Sequence, residues 1–236
     1  MTSAVSAVGT GVRPVRGRPA VVAHLAQFPE PGSFVTTDAA GSPLLLVRQD
    51  DGSVRALANV CRHRGARVET EPAGRRKMFA CPYHRWCYTR TGAIRSIPFD
   101  DGFAGAGRAG LGLAEHPSAL TGNLVWVVPD RSAAPEVAVP AGLAGAALVR
   151  AATLETATSW ERAEAGIGAD AEPVAPGTFA RWSGGYADLI SVRPAGPRLD
   201  RTVIGFWFLA APGADTGAEA GLRADERVAR LRAEWS

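Results

Sequence analysis

The chain has 236 residues, 46% of them hydrophobic, and a formal net charge of +3. That length accommodates one large or two small domains with a real core, and no run of eighteen apolar residues offers a membrane span. Residues 1–10 lack the basic start and long apolar stretch of a secretory signal, and three Cys cannot build a disulfide framework, so the expected setting is the reducing cytoplasm.

In chain order, residues 1–17 are small, polar and rich in Gly and Arg, and read as an N-terminal arm. Ordered structure begins at 21–25, and 34–37 read as a strand. Residues 44–47 and 54–60 form a hairpin around Asp50-Asp51-Gly52-Ser53. A short strand at 78–80 precedes a second hairpin, 86–89 and 93–97, around Thr91-Gly92. Residues 124–128 are an apolar strand. These elements predict an antiparallel β domain over 18–130. Ala, Val and Pro dominate 131–140, a linker. Beyond it, 153–165 read as a strand feeding a helix, and 189–192 and 202–209 as strands joined by Pro194-Ala195-Gly196-Pro197. Thr216-Gly217-Ala218-Glu219 has capping-box form, and Val228, Leu231 and Trp235 share one face of a terminal helix. The fold class is therefore mainly β, an α+β chain with a second domain over 141–236.

Two short loops concentrate the metal-binding residues. Cys61-Arg62-His63 and Cys81-Pro82-Tyr83-His84 use four of the seven Cys and His in the chain. Two thiols and two imidazoles in C-x-H and C-x-x-H spacing are the mixed ligand shell of a Rieske [2Fe–2S] cluster, with thiolates on one iron and imidazoles on the other. Cys2His2 is also a zinc shell, although zinc sites usually pair Cys with Cys and His with His. Nine basic residues lie between positions 62 and 95, opposed only by Glu69 and Glu71. Such a surface either steers an acidic electron donor or offsets the charge of the site. No nucleic-acid recognition motif accompanies it.

Val60-Cys61-Arg62-His63-Arg64-Gly65-Ala66 and Ala80-Cys81-Pro82-Tyr83-His84-Arg85-Trp86-Cys87-Tyr88 resemble the cluster loops of the Rieske non-heme iron oxygenases, the terminal components of multicomponent mono- and dioxygenases. The resemblance spans about residues 20 to 130. It implies that Cys61 and Cys81 bind one iron, that His63 and His84 bind the other, and that Arg64, Arg85 and Trp86 shape the surroundings. Ala66 and Tyr83 stand where the Rieske proteins of cytochrome bc complexes carry a disulfide. Cys87 reads as a small buried hydrophobe.

In that family the second domain is a helix-grip sheet holding a mononuclear iron through two His and a carboxylate. Here the corresponding segment, which resembles it from Ser159 to Ala165, continues as Gly166-Ile167-Gly168-Ala169-Asp170-Ala171-Glu172-Pro173, with no His. Only His24 and His116 lie outside the loops, both ahead of the second domain, and both read as surface or core residues. Asp170 and Glu172 without imidazole do not make a facial triad. The expectation is a truncated helix-grip-like domain without mononuclear iron, with Val203, Ile204, Phe206, Trp207 and Phe208 serving in part as an interface. The function that follows is an electron-transfer subunit of a hetero-oligomeric oxygenase, fed by a ferredoxin or reductase and serving an iron-bearing partner subunit. A stand-alone Rieske-type ferredoxin and a zinc scaffold are the alternatives. Substrate and pathway are not encoded in these features.

Overall fold

Antiparallel strand pairs, several of them hairpins closed by two-residue turns, form the framework of the chain. A computed structural model describes residues 17–98, 108–131, 137–168, 170–196 and 201–235. The arm up to residue 16, the centre of the 131–140 linker and the end of the 194–197 connection thus lie outside the described residues. The turns Ala40-Gly41, Gly122-Asn123 and Gly184-Gly185 hold both residues at positive φ, the geometry whose twist matches that of the strands it joins.

Strands β1 (Ala20–His24), β2 (Ser33–Ala39), β3 (Ser42–Arg48), β4 (Val54–Ala58), β5 (Ala73–Arg75), β6 (Met78–Ala80), β7 (Cys87–Thr89) and β8 (Ile94–Ser96) come first. They are followed by β9 (Glu115–His116), β10 (Ser118–Thr121) and β11 (Leu124–Val127). They form a five-stranded sheet, β5-β2-β3-β4-β9, and two three-stranded sheets, β1-β11-β10 and β6-β7-β8. Both expected hairpins are present: β3 pairs with β4, and β7 with β8. The 54–60 strand stops at Ala58 because Asn59 turns its side chain to the next loop. Its Oδ1 accepts from the Val68 and Glu69 amides at 3.1 and 3.0 Å. Phe34, Leu45, Leu57, Phe79 and Tyr88 pack with Cys61, Cys81 and Trp86 in one buried cluster, so the core of this domain extends into the two loops.

The second domain is a five-stranded antiparallel sheet in the order β12-β16-β15-β14-β13. Its strands are β12 (Ala147–Thr156), β13 (Glu172–Ala175), β14 (Thr178–Ser183), β15 (Tyr186–Ala195) and β16 (Arg201–Ala210). Helices α1 (Trp160–Gly166) and α2 (Ala218–Trp235) cover one face. Alternation with period two divides the sheet. Ile190, Ile204, Phe206 and Phe208 meet Ala163, Ala220, Ala224 and Leu231 from the helices. Leu189, Trp207 and Leu209 face the other way, against Val21, Leu124 and Trp126 of the first domain. Arg193 also crosses this boundary, donating to the Val21 carbonyl and, at 3.3 Å, to Thr37 Oγ1.

Three sequence expectations are corrected. Val203, Ile204, Phe206, Trp207 and Phe208 are all buried within the chain, so the sheet is consumed by its own helices and by the first domain rather than left as an interface. The capping box does not form. The helix starts at Ala218, Asp215 Oδ1 accepts from Gly217 N, and Glu219 turns instead to Arg223 one turn on. Cys87 is only partly buried, its Sγ 3.9 Å from Met78 Sδ at the edge of β6.

Candidate metal centre

The two loops are copies of one hydrogen-bonded design. In the first, Cys61 N donates to Ala66 O, and Gly65 N donates back to Cys61 O, at 2.8 and 2.9 Å. In the second, Cys81 N donates to Trp86 O and Arg85 N to Cys81 O, at 2.8 and 3.0 Å. Each loop must reverse at its fifth residue, and Gly65 (φ 75°) and Arg85 (φ 60°) both adopt the left-handed conformation to do so. The reversal points each thiol inward and carries the two His outward to one end of the domain.

The four sequence-predicted donors are brought together as two pairs. Cys61 and Cys81 are buried, and Cys81 adds to the causes that raise the Cys61 thiol's pKa. His63 and His84 lie edge to face, ring centroids 4.6 Å apart. Trp86 stacks flat on His63 at 5.0 Å, and Tyr83 tilts over His84 at 4.0 Å. Among the described residues no three donors converge on one point. A single tetrahedral zinc requires four donors at about 2.0–2.3 Å from one centre; two separated pairs suit two irons joined by sulfides.

Burial pushes the Cys61 thiol above its ordinary range, so metal binding there would displace a proton. Desolvation, with His84 and Arg64 adding, holds His63 below the usual imidazole range and thus in the neutral, ligating form. Among the described residues His84 Nδ1 is buried without a hydrogen-bond partner. An orphaned buried acceptor of this kind is costly unless an ion or other group meets it.

Tyr88 is the residue that sequence reasoning left without a role. Its hydroxyl accepts from Arg62 N at 3.1 Å and lies 3.2 Å from Cys61 Sγ. Either atom can donate in the contact with the thiol, whereas toward a thiolate only the hydroxyl could; burial followed by Cys61 raises the Tyr88 pKa. The spacing Cys81-x6-Tyr88 alone carries no such signal; only the folding of β7 under the first loop creates it.

The other His are structural. His24 Nδ1 accepts from Ala26 N at 3.1 Å, which leaves Nε2–H for Ala146 O at 3.3 Å. His116 is buried beside Arg131, and burial, then Arg131, pushes its pKa down to about 4. Asp170 pairs with Arg181 at 3.1 Å, and Glu172 accepts from Trp182 Nε1 at 3.3 Å.

Residues 18–109 match the Rieske [2Fe-2S] domain family, and part of the chain is similar to dioxygenase alpha subunits and large oxygenase components. It is 40% identical over 80 residues to chlorobenzene dioxygenase subunit alpha of Cupriavidus sp. (strain PS12), 34% of this chain and 18% of that one. It is 41% identical over 96 residues to the large oxygenase component of the 2,4-dinitrotoluene dioxygenase system of Burkholderia sp. (strain RASC), 40% and 21% respectively. The aligned part is about a fifth of the length of these curated relatives. The fold extends the likeness. The apo quaternary ammonium Rieske monooxygenase CntA superposes with a TM-score of 0.68 at 16% identity, over 90% of this chain and 74% of that one. A naphthalene 1,2-dioxygenase superposes with a TM-score of 0.61 over 89% and 69%.

Proposed function

We propose that this chain is the electron-relay subunit of a non-heme iron oxygenase, receiving electrons from a ferredoxin or reductase and passing them to a mononuclear iron on a partner subunit. The observation that carries the reading is the pairing of donors, two buried thiols and two imidazoles edge to face, at one end of a β domain. Cys61 and Cys81 would hold one iron, and His63 and His84 the other. When bound, the cluster supplies a one-electron couple whose imidazole ligands raise its potential above that of an all-cysteine cluster.

This chain's own residues do the rest. Tyr88, 3.2 Å from the Cys61 sulfur, would donate its hydroxyl proton to the thiolate of a loaded site, which favours the more electron-rich state. Trp86 fixes the plane of His63. The two loop reversals hold the imidazole edges at the domain surface, while Phe34, Leu57 and Phe79 keep water from the thiols.

Three features support assigning oxygen chemistry to a partner. The chain has four His, two in the loops and two in the first domain. The space between the second sheet and its helices is filled by apolar side chains, with Tyr186 stacked on Phe208 at 5.1 Å. Asp170 and Glu172 are engaged elsewhere. The dioxygenase relatives are named as subunits or components of larger systems.

Iron, sulfide and zinc content per chain, with visible absorption and low-temperature EPR of the reduced protein, tests the reading. Two irons and two sulfides are expected, together with co-purification of an iron-bearing oxygenase subunit. A further mononuclear high-spin iron on this chain would overturn the relay, and zinc in the loops would overturn the redox role altogether.

A further inference from the structure

We propose that two copies of this chain pair through the outer edge of β12 about a two-fold axis, so that their five-stranded sheets run on into one another. The inference does not depend on the cluster reading, because the edge belongs to the second domain. Among the described residues β12 pairs with β16 on one side and with no strand on the other. Half of its N–H and C=O groups therefore face outward along ten residues, Ala147–Thr156.

The other sheet edges are blunted. β9 has two residues, β5, β6 and β8 three each, and β10 four. β13 has four and contains Pro173. β1 has five, and its Val21 carbonyl is taken by Arg193. Shortness and proline both guard an edge against pairing. β12 has neither guard, nor a lysine. Its two charges are held within the chain, Arg150 by Asp225 at 2.9 Å and Glu155 by Arg201.

The edge is complementary to itself. Arg150 and Leu154 point toward α2, and Ala151 points toward the first domain. Opposite residues of an antiparallel pair project to the same face. A register centred on Ala152 keeps the faces matched: Ala152 meets its own copy, Ala151 meets Thr153 and Arg150 meets Leu154 of the second copy, and no like charges are opposed. The small side chains at the centre let the backbones close to the ladder spacing of about 4.8 Å. α2 adds a contact beside the strand. Asp225 and Ala229 line a cleft along the edge with Arg150, and Leu222 falls on their face by helical spacing. Leu222 is 66% exposed, the most exposed large hydrophobic side chain among the described residues. The two-fold axis lays the two α2 helices side by side and covers it. An edge roughly 33 Å long, with the helix about 20 Å across, buries roughly 1,300 Å² over both copies, within the range of stable interfaces. Two edges that meet about a two-fold axis leave none free, so the assembly closes at two.

Sedimentation velocity of the full loaded chain between about 1 and 100 μM should show a concentration-dependent shift to twice the 24.6 kDa chain mass. Ala151→Lys/Thr153→Lys sets like charges against each other across the axis and should weaken the dimer about tenfold or more with unchanged circular dichroism. Leu120→Lys, which places a charge on the β10 edge instead, should dimerise like the parent. Hydrogen exchange of the unaltered protein gives the same reading if the double variant misfolds: the outward amides of β12 should exchange about tenfold more slowly at the high concentration than at the low one. A monomer throughout, a trimer, a dimer indifferent to the double variant, or exchange independent of concentration would overturn the proposal. So would slow exchange in the monomer, which would assign the edge to another part of the same chain, and pairing seen only when an iron-bearing oxygenase subunit is added, which would assign it to that subunit.

Discussion

The two domains spend buried side chains in opposite ways. In the first, Cys61, Cys81, Trp86 and Tyr88 lie inside the same core as Phe34 and Leu57, so packing and the proposed metal chemistry share residues. In the second, the space beneath α1 and α2 is taken by Ile204, Phe206, Phe208 and Leu231, and packing is all that these side chains do. Both are β structures built from hairpins; what separates them is whether polar donors were placed where the strands end. The lesson is that a sheet becomes a redox site through its end loops, while its faces supply only the dry wall behind them.

The contrast can be broken most severely at the ligands. Cys81→Ser or His84→Ala should abolish cluster loading, seen as loss of visible absorption and bound iron, whereas a deep second-domain change such as Phe208→Ala should leave iron per folded chain intact. Phe208→Ala should nevertheless lower unfolding free energy by about 3–5 kcal/mol, read by denaturant titration of the loaded protein. Iron loss in the Phe208→Ala protein under folding conditions would show that the two cores are not chemically separate.

A pH titration probes the boundary between them. His116 is held neutral with its pKa near 4, below the roughly 6.5 of an unfolded imidazole. The unfolded chain therefore binds the additional proton first, and stability falls as pH drops from about 6.5 toward 4. The loss reaches about 3 kcal/mol at most and is absent above pH 6.5. Denaturant midpoints across that range, with and without His116→Gln, check the sign. The smallest effect belongs to Tyr88→Phe. Loss of one hydrogen bond to sulfur, about 0.5–1.5 kcal/mol, should lower the reduction potential by roughly 20–60 mV without changing the iron content. An unchanged potential in protein-film voltammetry would remove Tyr88 from the redox site.

Much of the cluster domain was legible in the sequence because its signals are local. Loop spacing, the Asp51-Gly52 turn and the apolar stretches 44–47 and 54–58 act over a few residues, and the hairpins stand where these put them. What was not legible depended on distant chain. β5 is Ala-Gly-Arg and fully exposed, a strand only because β2 offers it an edge. β13 contains Pro173 and pairs as an edge strand beside β14. The 203–208 run read as surplus apolar surface because Val21, Leu124 and Trp126, more than seventy positions earlier, could not be seen to cover it. Asp215 displaced Thr216 at the start of α2 for a similarly fine reason, one residue of register at a helix end. The site donors, and their sorting into a thiol pair and an imidazole pair, were legible from the loop motifs and the resemblance they carry; the approach of Tyr88 to Cys61 required the fold.

Arg193 carries a last consequence. It is buried, its pKa pushed down to about 10 by burial despite Asp38 nearby, and its guanidinium reaches across to a carbonyl of β1. With Trp207 donating to Gln27 at 3.0 Å, it rivets the C-terminal sheet to the strand that opens the Rieske domain. The stretch after residue 130 therefore connects two units without separating them. A protease or a cloning primer directed there would release not an autonomous electron carrier but a fragment with a raw apolar flank, and the second sheet earns its place by covering that flank.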